Sequence, residues 1–169
     1  MKSGFTYIEI LVVISLIAIL AAGVWVYVGF YKGMKLEAAA EKLSYDIRYA
    51  QNQALCTTLW HGINFEVNPV NKYYVYQTDS LADTLIQDPA DFASTLVVDL
   101  YHKYGVTINS VNLEGGENKV EFDGLGRPYT DHINYGGWVV SAEGTIVLGL
   151  QGLTKTITIT PVTGKVTIQ

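Results

Sequence analysis

The chain begins with a short stub and then turns apolar. From Ile10 to Tyr31 run 22 residues without a formal charge, and Glu9 is the only charge between Phe5 and Tyr31. As a helix rising 1.5 Å per residue, that run is about 33 Å long, enough for a hydrocarbon core of about 30 Å. Beyond Tyr31 the apolar positions narrow to one face: Leu36, Ala40, Leu43, Ile47, Ala50 and Ala54 recur at alternating intervals of four and three. Glu37, Glu41, Lys42, Asp46 and Arg48 take up the polar remainder. Pro69 is the first proline, so nothing forces a break, and the spacing predicts one helix from about Phe5 to about Thr57. Gly23, Gly29 and Gly33 are either bending points or small residues that permit close helix approach.

After Cys56-Thr57-Thr58 the period changes to two. Leu59, His61, Ile63, Phe65 and Val67 alternate along one strand face, Asn68-Pro69-Val70-Asn71 reads as a turn, and residues 73–77 return as a second strand. Residues 79–92 read as an irregular acidic loop. Further strands are expected near 95–100, 106–111, 119–122, 144–150, 155–160 and 165–168, punctuated by glycine pairs and turns. One long helix followed by strands is an α+β order, with an antiparallel sheet packed on the helix. The expected divisions are a leader at 1–4, an apolar helix at 5–31, an amphipathic stem at 32–58 and a β-rich domain at 59–169.

Composition sharpens this picture. Hydrophobic residues make up 49% of the chain and charged ones 16%, against about a quarter charged in a soluble domain, and the excess lies at the front. From Lys32 onward ten Lys and Arg face fifteen Asp and Glu. Binding a line of phosphates takes a concentrated basic patch, which this chain lacks, so no nucleic-acid partner is expected. Cys56 has no second cysteine to pair with and is expected as a buried apolar side chain.

The head of the chain admits three readings: a secretory signal, a plain anchor, or a leader cut before the apolar run. The run is too long for a signal h-region, and Ala21-Ala22-Gly23 is a weak processing site. Gly4-Phe5-Thr6-Tyr7-Ile8-Glu9, followed by Ile10-Leu11-Val12-Val13-Ile14, closely resembles the N-terminal methylation motif of type IV pilins and type II secretion pseudopilins. Tyr7 stands where that family more often has Leu. The resemblance implies that a prepilin peptidase cuts between Gly4 and Phe5 and methylates the Phe5 amine. It also implies that Glu9 is the assembly glutamate, with partners among other pilin subunits and an inner-membrane assembly platform. The chain would then sit in the inner membrane by one span, N-terminus cytoplasmic and C-terminal domain outside. A charge in a spanning helix costs a few kcal/mol unless partnered. The freed Phe5 amine of a neighbour, about 4 Å away at an effective dielectric of 20, would attract it by about 4 kcal/mol before desolvation.

More loosely, Asp46-Ile47-Arg48-Tyr49-Ala50-Gln51-Asn52-Gln53-Ala54, Ile63-Asn64-Phe65, residues 120–128 and the closing Ile157-Thr158-Ile159 and Gly164-Lys165-Val166 resemble H-type minor pseudopilins and FimT/FimU-type minor pilins. That implies a structural subunit of a secretion pseudopilus or a pilus. The alternative is a minor pilin whose outer domain binds DNA or a surface ligand, although the chain end lacks the arginine cluster of DNA-uptake relatives. Asp79, Asp83, Asp88 and Asp91 crowd one loop and form a weak candidate for Ca²⁺, which prefers several oxygens. No other cofactor is expected. His61, His102 and His132 stand apart without zinc spacing, and no nucleophile–base pair suggests an enzyme. Residues 123–128 read as a turn rather than a phosphate loop. Tyr73, Tyr74 and Tyr76 on one strand are candidates for contact surface.

Overall fold

A 51-residue helix, α1, spans Tyr7–Thr57 and passes without interruption through Gly23, Gly29 and Gly33. The computed structural model describes residues 6–78, 82–133 and 140–169, and among these the side chains of all but residues 22–28. Two compact units divide the chain, Met1–Met34 and Lys35–Gln169. In the second unit, the predicted stripe of Leu36, Ala40, Leu43, Ile47, Ala50 and Ala54 is buried throughout, joined by Ala39. α1 ends where Thr58 adopts φ 60°, a left-handed turn that stops helical propagation. Cys56 is exposed rather than buried. Two residues past Ala54 the side chain has turned about 200° around the helix axis, away from the core.

Strands follow in the expected order. β1 (Trp60–Glu66) and β2 (Lys72–Thr78) form the first hairpin, with β3 at Asp83–Leu85, β4 at Gln87–Asp88, β5 at Asp91–Thr95 and β6 at Val97–Asp99. Then come α2 (Leu100–Tyr104), β7 (Thr107–Asn112), β8 (Lys119–Phe122), β9 (Pro128–Tyr129), β10 (Gly144–Leu150), β11 (Leu153–Ile159) and β12 (Val166–Ile168). One antiparallel sheet has the order β3-β2-β1-β8-β9, with β6 also on β2; another runs β12-β11-β10-β7, and β4-β5 make a separate ribbon. Both larger sheets contribute to one core with α1: Ile63, Phe65, Val75, Val120 and Phe122 from the first, Ile108, Ile146, Leu148, Ile157 and Val166 from the second.

Three expectations are corrected here. The segment 79–92, read as irregular, carries β3 and β4 and the start of β5; these strands are two to five residues long, too short to display a period. The strand expected at 95–100 stops at Asp99, whose carboxylate accepts the His102 N–H at 2.7 Å and starts α2, while Gly105 at φ 73° ends it. Leu59, placed on the buried strand face, lies in the bend before β1 and is exposed.

Asp46 is the largest departure from the sequence pattern. Assigned to the polar remainder, it is 1% exposed, accepting the Tyr73 hydroxyl at 2.7 Å and the Lys42 ammonium at 2.6 and 2.7 Å. Burial pushes its carboxyl pKa up, against the pull of Lys42 and Tyr73. Tyr73 and Tyr76 are therefore not contact surface: both are fully buried, and only Tyr74 is partly exposed.

Tyr76 reaches across its sheet. Gly62 on the central β1 lies opposite Tyr76 on one side and Glu121 on the other, and the Tyr76 hydroxyl donates to the fully buried Glu121 at 2.7 Å. Glu121 also accepts the His132 backbone N–H at 2.8 Å and pairs with His132 Nδ1 at 2.7 Å. The His132 ring in turn stacks on Trp60, 4.1 Å between centroids. A Cβ on Gly62 would stand 2.8 Å from the Val120 carbonyl oxygen and 2.9 Å from both Glu121 Cγ and Tyr76 Cζ, so only glycine lets the phenol ring cross.

Gly62→Ala is expected to lower the unfolding free energy by about 1–3 kcal/mol, an overpacking cost; an unchanged urea midpoint would show that the ring does not need that space. Tyr73→Phe strips the buried Asp46 carboxylate of a donor, a loss of about 1.5–3 kcal/mol for a hydrogen bond to a charged group. Since the folded-state pKa of Asp46 is raised above 3.8, the folded chain takes up that proton first. Asp46 therefore opposes folding at neutral pH and ceases to do so as pH falls through that raised value. The Tyr73→Phe deficit should shrink in the same window, read from urea unfolding at several pH values.

Asp123 behaves in the opposite sense. Burial would raise its pKa, but the Arg127 guanidinium and the Arg127 and Leu125 backbone N–H groups outweigh it and hold the carboxyl below 3.8. Its stabilisation is present at neutral pH and lost as pH falls below 3.8 through the folded-state value. Asp123→Asn should accordingly be less stable than the parent at pH 7, with the two curves converging in acid.

Candidate functional site

The described chain starts at Thr6, and the first helical turn explains itself locally. The Glu9 N–H donates to the Thr6 carbonyl at 3.1 Å and lies 3.4 Å from Thr6 Oγ1. Thr6-Tyr7-Ile8-Glu9 thus has the Thr-x-x-Glu spacing of a capping box, and a carboxylate in the first turn suits the helix dipole. Thr6 is a residue that the sequence reading passed over; that spacing just before an apolar run was the available signal. Gly4 and Phe5, the expected processing pair, lie outside the described residues.

Glu9 is exposed, in a surface depression of about 290 Å³ that it lines with Ile10, Val13 and Ile14. Every described side chain from Thr6 to Ala21 is exposed, Tyr7, Ile8, Leu11, Ile14, Ile17 and Leu20 among them. An isolated helix that is apolar all round needs apolar surroundings. Among the described residues no helix is long and apolar enough to cross a membrane.

Elsewhere the candidate ligands stay apart. Asp79 lies outside the described residues. Asp83 and Asp91 are exposed and Asp88 is half-buried. Asp88 accepts the Ala90 N–H at 2.8 Å and Asp91 the Ala93 N–H at 3.2 Å, so both shape the β4–β5 ribbon. Among the described residues no three His, Cys, Asp or Glu side chains converge as metal ligands would. His61 is buried with Nδ1 3.1 Å from the Leu59 carbonyl, and burial pushes its pKa down. The Asp46–Tyr73 and Glu121–Tyr76 pairs are sealed in the interior and act on the fold.

Residues 1–25 match the family described as the prokaryotic N-terminal methylation motif. No curated protein matches the chain. Among solved structures, the fold is similar to the type IV minor pilin FimU of Pseudomonas aeruginosa, with a TM-score of 0.53 at 15% identity, covering 83% of this chain and 92% of that one. It is also similar to the minor pseudopilin EpsH from the type 2 secretion system of Vibrio cholerae, with a TM-score of 0.58 at 12% identity, covering 80% and 96%. The head of the chain thus carries the N-terminal methylation motif, and the chain behind it has the fold of these minor pilins.

Proposed function

We propose that the chain is a structural subunit, a minor pseudopilin or minor pilin, of a type II secretion pseudopilus or type IV pilus. A prepilin peptidase removes Met1–Gly4 and methylates Phe5. The apolar half of α1 then holds the subunit in the inner membrane by one span, with residues beyond it outside, until an assembly platform moves it into the filament. The observation that carries this reading is Glu9: a carboxylate at the head of a helix apolar on every side, with no cation against it among the described residues. In lipid such a charge is costly, and a neighbour's N-terminal amine offsets that cost. The domain behind it supplies shape and interior pairing rather than chemistry, in keeping with a building block that is not an enzyme.

Co-expression with a prepilin peptidase should give a chain whose intact mass begins at N-methylated Phe5; retention of Met1–Gly4 counts against the reading. Glu9→Gln should leave cleavage and folding unchanged while removing the chain from sheared filament fractions. Filament incorporation at the parental level would sink the electrostatic docking.

A further inference from the structure

The second sheet ends on a free edge. In the antiparallel pair β11–β12, Gln169 and Thr156 exchange both backbone hydrogen bonds, at 2.8 and 3.0 Å. By the alternation of such ladders, Thr167 and Lys165 also point their main-chain groups at β11, while Val166 and Ile168 point theirs outward. The Val166 carbonyl accepts the Arg48 guanidinium at 2.9 Å. Among the described residues the Val166 N–H and both main-chain groups of Ile168 have no partner. Beside this edge a groove of about 580 Å³ runs along α1, lined by Ala38, Glu41, Lys42, Ser44, Tyr45, Arg48 and Ile168. Its floor is low because Ala38 and Ser44 are small, and Tyr45, 61% exposed, is an apolar wall.

The same chain carries a complementary piece. β5 is exposed along all five residues and pairs only with β4 among the described residues. Phe92 on it is 74% exposed. Side chains alternate along a strand. If β5 is added to the β12 edge with Phe92 and Ser94 turned into the groove, Asp91 points to the opposite face, which carries the exposed Lys165. Apolar ring, unpaired edge and opposite charge match together.

We infer that the β12 edge and its groove receive β5 of a second copy of this chain, Phe92 seating beside Tyr45 and Ile168 and Asp91 pairing with Lys165. Donor and acceptor are different elements, so the contact is head-to-tail and propagates rather than closing into a two-fold dimer. Pairing by strand addition supplies the backbone bonds, and the alternating side chains supply selectivity. This contact belongs to the outer domain and is independent of the Glu9 docking.

The test uses full-length chains in detergent micelles, in a Cys56→Ser background that removes the native thiol. Chains carrying Glu41→Cys are mixed with chains carrying Ser94→Cys and bridged with a short bis-maleimide. A bridged dimer is expected in the mixture and not in either population alone. Lys165→Glu on the first population should cut its yield about threefold to fivefold, the worth of an exposed ion pair, and Asp91→Lys on the second should restore it. The same yield is expected with Glu9→Gln in both populations, which separates this contact from helix docking. No dimer above an unrelated exposed cysteine pair, equal bridging within one population, or no rescue by the charge swap would each overturn the inference.

Discussion

One helix has to serve two surroundings, and that requirement shapes the rest of the chain. Over its first turns every described side chain of α1 is exposed and most are apolar, so its stability depends on what surrounds it. From Leu36 to Ala54 the same helix confines its apolar residues to one stripe and buries them beneath two sheets. A side chain placed for the first regime is wrong for the second. The change from all-round to one-sided hydrophobicity therefore falls within about one turn, between Tyr31 and Leu36, where Lys32 and Lys35 enter.

Among the described residues the two sheets share no ladder, and polar side chains join them at their ends. Gln51 on α1 donates to the Gly126 carbonyl in the first sheet's turn at 2.8 Å and to the Thr163 carbonyl in the second sheet's turn at 3.0 Å. Gly164, at φ 63°, leaves room for that amide; a Cβ there would come within 2.6 Å of Gln51 Nε2. At the other end Asn71 accepts the Ile108 N–H of β7 at 2.9 Å while its backbone carbonyl accepts Leu100 N–H at 3.0 Å. Lys155 pairs with Glu37 at 2.8 Å, an exposed pair of small energetic worth. These ties fix the two sheets to each other.

Period and turn residues together made the helix, its buried face and seven of the strands legible. They failed where a polar group is buried with a partner far away in sequence. The pairing of Asp46 with Lys42 four residues away reads as an ordinary surface pair, its second donor Tyr73 is 27 residues away, and a carboxylate in a helix is ordinarily solvated. Glu121 is hidden for the same reason, its partners being Tyr76 and His132. The short strands of 83–95 and the five-residue α2 lie below the length at which a pattern can be read. Gly62 looks like a defect in a strand until its neighbours on both sides are known, when it becomes the gap that a phenol ring crosses.

Three carboxylates illustrate how this chain handles negative charge. Asp46 and Glu121 lie in the interior, and each has donors from its own chain: an ammonium and a phenol for the first, a phenol and an imidazole for the second. Leaving either unpaired would cost several kcal/mol, and the fold brings strands together so that neither is. The Glu9 carboxylate is exposed in the first helical turn, where the helix dipole favours it, beside Ile10, Val13 and Ile14. Among the described residues no cation lies against it, in contrast to the two interior acids. The proposed assembly through Glu9 would bring from a neighbour the kind of cation that Lys42 supplies to Asp46 within the fold.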